Sequence, residues 1–279
     1  MAPSTVALLL VAAVLHASWN AILRSGADRL WSITVMTALG GAMAVALDLA
    51  LRWPAPDPAS WPFMAGSSVL QIGYCLFMVR AYRDGHLGHV YPIARGTAPL
   101  LVTLGAWIAA GERLTGPGLL GVLLVSAGIM TLAIGRDRPD KRTLGAAIAA
   151  GAFIASYMVV DGLGVRHSGH PLGYAAWLTG AQGLAMLATY CAIRRRPPAL
   201  PKGRGGGAVL VGAAISTLGY GIALWAMSGA PMAQVSALRE TSILFAALLG
   251  ALFLREPVTL RRILGGVTIA AGAIFLTAG

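Results

Sequence analysis

The chain is poor in cysteine and in acid: two cysteines and ten acidic residues among 279, with 11% of residues charged. Each shortage excludes something. Cys75 and Cys191 both fall in apolar runs, so they read as small packing residues and no disulfide framework is expected. A soluble domain carries about 25% charged residues, which argues against a soluble globule. The histidines His16, His86, His89, His167 and His170 lie mostly at segment ends and make no zinc set. There is no HExxH, no GxSxG and no carboxylate pair at metal-ligand spacing, so no metal is expected, and an intramembrane enzyme or a scaffold is the lesser reading. The glycines of the loop Arg194 to Gly207 follow no strand and precede no GKS or GKT, so they read as linker, not as a phosphate loop.

What is present is apolar. Hydrophobic residues make up 57% of the chain, and its 36 glycines suit close helix packing in a membrane bundle. The formal charge of +11 could indicate nucleic acid, but the basic residues cluster between long apolar runs, as in membrane loops. No Lys or Arg precedes the first run and no A-x-A site follows it, so that run reads as a helix rather than a signal peptide. Ten runs approach the roughly 20 residues that a bilayer core requires. They are Ser4–Leu23, Trp31–Leu51, Trp61–Arg80, His89–Ala110, Pro117–Gly135, Thr143–Gly164, Pro171–Ile193, Ala208–Ser228, Pro231–Leu254 and Arg262–Ala278. The expected fold is all-α, with ten transmembrane helices in two inverted five-helix repeats.

The repeat is carried by polar residues. A constant offset of 144 takes Arg95 to Arg239, Thr97 to Thr241, Glu112 to Glu256 and Thr115 to Thr259. The same offset takes Gly121 to Gly265 and Gly128 to Gly272. Residues 1–135 are the first repeat, 136–142 (RDRPDKR) a basic linker, and 143–279 the second. Five helices per repeat make the copies run in opposite senses through the membrane.

Arg95 and Arg239 each lie eight residues into their run, counted from Leu87 and Pro231. At about 1.5 Å per residue each is roughly 12 Å into a core of about 30 Å, one from either face, so both approach the midplane. Pro99 cannot donate to the carbonyl of Arg95, so a break in the fourth helix is expected beside Arg95. Intramembrane charge marks function by default, and guanidinium suits a carboxylate or phosphonate. Glu240, adjacent to Arg239, and Asp161 are candidates to pair with the arginines, bind a substrate amine or carry a coupling proton. Asp161 is expected to be the more hydrated, being nearer a helix end. His16, Trp19 and Asn20 share a helical face, as do Gln71 with Tyr74, Tyr91 with Arg95, and Tyr157 with Asp161. Tyr220 repeats Tyr74 in a second Gly-Tyr pair. These side chains are expected to line one cavity. Asp48 reads as structural.

The loops after the odd-numbered helices hold sixteen Lys and Arg and the opposite face three, Arg52, Arg113 and Arg166. The first set is therefore expected in the cytoplasm and both termini outside.

The stretches LHASWNAILRSG (15–26), AYRDGHLGHVYPIARGTAPLLVTLGAWIAAGERLT (81–115) and LRETSILFAALLGALFLREP (238–257) resemble the drug/metabolite transporter superfamily, specifically its EamA-type ten-helix members. The SAG at 126–128 and AAG at 270–272 fit the same pattern. The resemblance covers essentially the whole chain. It implies a cofactor-free secondary carrier of small metabolites in a bacterial-type cytoplasmic membrane, monomeric or homodimeric, often an exporter of amino acids or related solutes. Uptake of a small organic anion such as an aminophosphonate is the alternative. One departure stands: many such members have cytoplasmic termini, whereas the charge distribution here points the other way.

Overall fold

The computed structural model of the chain describes residues 1–25, 28–83, 87–133, 141–254 and 259–278. Most of the linker expected at 136–142 therefore lies outside the described residues, as do His86 and Glu256. The fold is all-α. In chain order the helices are α1 (Pro3–Ser25), α2 (Arg29–Leu51), α3 (Trp61–Arg83), α4 (Leu87–Ala110), α5 (Gly116–Ala133), α6 (Lys141–Arg166), α7 (Pro171–Arg194), α8 (Gly203–Met227), α9 (Met232–Glu240), α10 (Ser242–Leu254) and α11 (Leu260–Ala278). Among the described residues six are long and apolar enough to cross a membrane: α1, α2, α4, α6, α8 and α11.

Local chemistry sets the helix ends. Asp28 caps α2 by accepting from the Trp31 amide at 3.0 Å. His170 does the same for α7, with Gly173 N donating to its Nδ1 at 3.0 Å and Pro171 in the first helical position. Arg52 and Arg195 end α2 and α7 in the left-handed region, at φ 52° and 53°.

The packing is close because glycines sit where helices cross. α5 lies on α11. A Cβ on Gly121 would stand 2.9 Å from the carbonyl oxygen of Gly272, and one on Gly128 would stand 2.8 Å from that of Gly265. The lower glycine of one helix meets the higher glycine of the other, so the two helices are antiparallel. α2 and α7 cross in the same way: a Cβ on Gly41 would lie 2.6 Å from Thr179 O, and one on Gly183 would lie 3.0 Å from Thr37 O. This Thr-x-x-x-Gly pair is a second repeated signal in the sequence, beyond the matches described above. α6 runs through the middle, against α3, α4 and α8.

Two expectations are corrected. The run Pro231–Leu254 is not one helix: it divides at Thr241 into α9 and α10. The break expected beside Pro99 does not occur, and α4 continues through Pro92 and Pro99. A single proline removes one donor, which a packed helix tolerates. At Thr241 both the amide and the hydroxyl turn back to Leu238 O, at 3.2 and 2.6 Å, tightening the turn and ending the α-helical ladder.

Leucine at Gly128 is expected to force α5 from α11 and cost about 1–3 kcal/mol. Thermal unfolding in detergent measures this, with Gly145→Leu, where a Cβ meets nothing within 4 Å, as the comparison. Equal midpoints for the two variants would refute the tight crossing.

Candidate functional site

The break in the ninth run brings the expected charges together. Arg95 on α4 donates from Nη1 to Glu240 Oε1 at 2.7 Å, a buried ion pair between the middle of α4 and the end of α9. Arg95 Nη2 also contacts His16 Nε2, from α1. On the far side of that imidazole, Trp19 Nε1 donates to Nδ1 at 3.3 Å. A neutral imidazole has one N–H and one lone pair, so it can accept from only one of these two donors. Asn20 is turned to its own helix, donating to His16 O at 2.8 Å. Tyr91 lies under the Arg95 guanidinium, 5.2 Å from carbon to ring centre.

A second cluster forms around Arg239. Its guanidinium stacks on Tyr220 at 5.1 Å, and Tyr220 Oη donates to Asp161 Oδ2. Arg239 is 7% exposed and forms no ion pair among the described residues, in contrast to Arg95. Tyr157, one turn before Asp161 on α6, meets the ring of Tyr74 at 6.0 Å. Among the described residues, Glu240 Oε2, Arg95 Nε and Gln71 Oε1 are buried without a hydrogen-bond partner, and the Asp161 carboxylate lies beside the buried Ser67 hydroxyl.

The structure thus gathers His16, Trp19, Tyr91, Arg95, Tyr157, Asp161, Tyr220, Arg239 and Glu240 into one layer drawn from five helices. One expectation changes. Asp161 is fully buried rather than hydrated, because α6 packs against α3, α4 and α8. The four charged side chains of the layer are buried, while Trp19, Asn20, Tyr74, Tyr91 and Tyr220 around them are partly exposed. Asp48, read as structural, is buried and accepts from Trp177 Nε1 at 3.3 Å.

Sequence reasoning missed a clamp at one face. Glu112, in the turn after α4, accepts from the Met232 amide at 2.9 Å through Oε2 and pairs with Arg166 through Oε1. Arg166 in turn donates to Met227 O and Ala230 O, both at 3.0 Å. One carboxylate therefore caps α9, and one guanidinium holds the turn that leads into it. The signals were visible: Glu112 is a matched repeat residue, and Arg166 is one of three cations on the sparsely charged face.

Fold and site together define a multi-pass helical membrane protein with a polar, charge-bearing layer inside the bundle. The model of the EamA-like transporter family matches residues 141–278, the second of the two expected repeats. A protein of Pseudomonas aeruginosa, described as uncharacterised, is 27% identical over 249 residues, covering 85% of this chain and 83% of that one. A protein of known crystal structure shares the fold with a TM-score of 0.77, over 99% of this chain and 97% of that chain, at 22% identity.

Glu112→Ala is expected to lose both cap and ion pair, lowering stability by about 1–3 kcal/mol, whereas Glu112→Gln keeps the acceptor for Met232 N and loses less. Thermal midpoints in detergent decide; identical losses would show that the cap contributes nothing.

Proposed function

We propose that this protein is a secondary carrier of small zwitterionic solutes, amino acids or close relatives, working by alternating access. The observation that carries the reading is the unequal pairing of the two central arginines. Arg95 is neutralised by Glu240, while Arg239 is buried with an aromatic ring beneath it and no carboxylate in ion-pair range among the described residues. A guanidinium so placed calls for an anion, and a substrate carboxylate or phosphonate supplies one. Glu240 Oε2, without a hydrogen-bond partner among the described residues, complements a substrate ammonium, and the buried Asp161 carboxylate is a second acceptor for it. Two guanidiniums and two carboxylates leave the layer without net charge when all are ionised. That balance favours a zwitterion over a simple anion, and an aminophosphonate fits it as well as an amino acid.

The architecture that goes with this reading is ten spans in two inverted repeats. Support comes from the packing, which maps onto itself when the repeats are exchanged: α1 on α8 matches α6 on α3, and α2 on α8 matches α7 on α3. The antiparallel glycine crossings of α5 with α11 and α2 with α7 join each helix to its own counterpart. Positive-inside bias puts both termini outside the cytoplasmic membrane. Export is the favoured direction, with uptake as the alternative. A proton carried by Glu240 or Asp161 is the proposed coupling ion.

The arginines are assigned different tasks. Arg239 holds the substrate anion. Arg95 organises Glu240, and removing one partner of a buried pair costs about 3–5 kcal/mol. Arg239→Gln is therefore expected to abolish saturable flux of neutral amino acids in proteoliposomes while leaving the thermal midpoint near wild type. Arg95→Gln is expected to lose both. Normal flux through Arg239→Gln would sink the assignment of that residue. In the same vesicles an imposed pH gradient should drive accumulation by the wild type, and Glu240→Gln should retain exchange without accumulation. A wild-type carrier indifferent to the gradient would exclude the proton role.

A further inference from the structure

An apolar groove of about 310 Å³ lies apart from the charged layer, between α1, α2, α7 and α8. Its walls include Leu8, Leu47, Trp53, Ala176, Leu218 and Trp225. Leu8, Leu47, Leu218 and Trp225 are exposed, so the groove opens sideways to whatever surrounds the bundle. Three of its four helices, α1, α2 and α8, are long and apolar enough to cross a membrane, so that surrounding is bilayer.

The groove has a direction. One end is marked by Trp53, just past the end of α2, Leu172 in the first turn of α7 and Trp225 in the last turn of α8. Helix ends and tryptophans mark the headgroup level. From there it runs inward along α8 to Thr217 and along α7 to Thr179, about 12 Å at 1.5 Å per residue. It is parallel to the helix axes, as an acyl chain in that leaflet is. It offers a polar ligand almost nothing, since the Thr179 hydroxyl is already spent on Ala175 O.

A cation follows in sequence at this end: Arg52, the residue before Trp53, is exposed at the left-handed end of α2 and has no ion pair among the described residues. Arg166, on the same face, is occupied by Glu112 and two carbonyls. The nearby Asp48 carboxylate is buried and turned to Trp177.

We infer that this groove is a phospholipid site, with one acyl chain lying between α1, α2, α7 and α8 and the headgroup phosphate at Arg52. The chain would lie across the seam between the two proposed repeats, touching α1 and α2 of one and α7 and α8 of the other. The assignment does not depend on the substrate reading.

Glycine supplies the test. A Cβ on Gly221 meets nothing within 4 Å, and Gly221 borders the groove, so leucine there fills it without a backbone clash. The full chain in detergent is titrated with phosphatidylglycerol and retained lipid is counted by native mass spectrometry. Wild type is expected to keep one lipid, Gly221→Leu to bind about tenfold more weakly, and Arg52→Gln to lose the preference for phosphatidylglycerol over uncharged diacylglycerol. No retained lipid in wild type, or equal retention by Gly221→Leu, overturns the site. An unchanged preference in Arg52→Gln overturns the phosphate assignment. If Gly221→Leu does not fold, Ile222→Trp narrows the same groove from a half-buried position and is read the same way.

Discussion

The ion pair between Arg95 and Glu240 is the constraint on which the interior depends. Two charges at membrane depth are costly to place, and their mutual attraction repays that cost only when geometry is good and the remaining donors find partners. Here the geometry fixes three elements at once: α4 through Arg95, α9 through Glu240, and α1 through His16, which meets the second guanidinium nitrogen. The pair also explains the tolerance of a helix break at Thr241. The carboxylate that ends α9 is held from outside its own helix, so the ladder can stop there without letting the end drift. The clamp of Glu112 on the Met232 amide fixes the other end of the same nine-residue helix. α9 is thus held at both ends by side chains from the first half of the chain.

Much of this was legible beforehand, for identifiable reasons. The arginines stood out because charge is rare in an apolar chain, and their matched spacing placed both near mid-depth. The aromatic and acidic residues around them were legible as helical faces, since i, i+4 spacing needs only a periodicity. Who pairs with whom was not legible. Arg95 takes Glu240 from 145 residues away, whereas the adjacent Arg239 does not, and no local pattern encodes that choice. The helix break was misplaced because proline is the conspicuous breaker in sequence. The actual break relies on a threonine hydroxyl returning to a carbonyl three residues back, an option every threonine has. Asp161 was misjudged because distance along a helix was taken for distance from solvent, and α6 is enclosed nearly to its end.

The two arginines, at positions 144 residues apart, have different partners: Glu240 for Arg95 and the Tyr220 ring for Arg239. With Glu240 adjoining Arg239 but committed to Arg95, the second half supplies the carboxylate that satisfies the first. The position matching Glu240 in the first half is Gly96, which supplies none in return. An asymmetry of a single residue therefore accompanies the difference between an ion-paired guanidinium and one without an ion pair among the described residues.

The glycine crossing of α5 with α11 has a bearing on descent. Gly121 faces Gly272 and Gly128 faces Gly265, and under the proposed duplication each of these pairs joins a residue to the counterpart of its neighbour. A surface that fits an inverted copy of itself is what a two-fold dimer uses. Under that proposal the seam would descend from a contact between separate, oppositely inserted proteins, and fusion would have freed the two halves to diverge. At the seam that freedom is missing, because a side chain gained on either helix has to be met by space on the other.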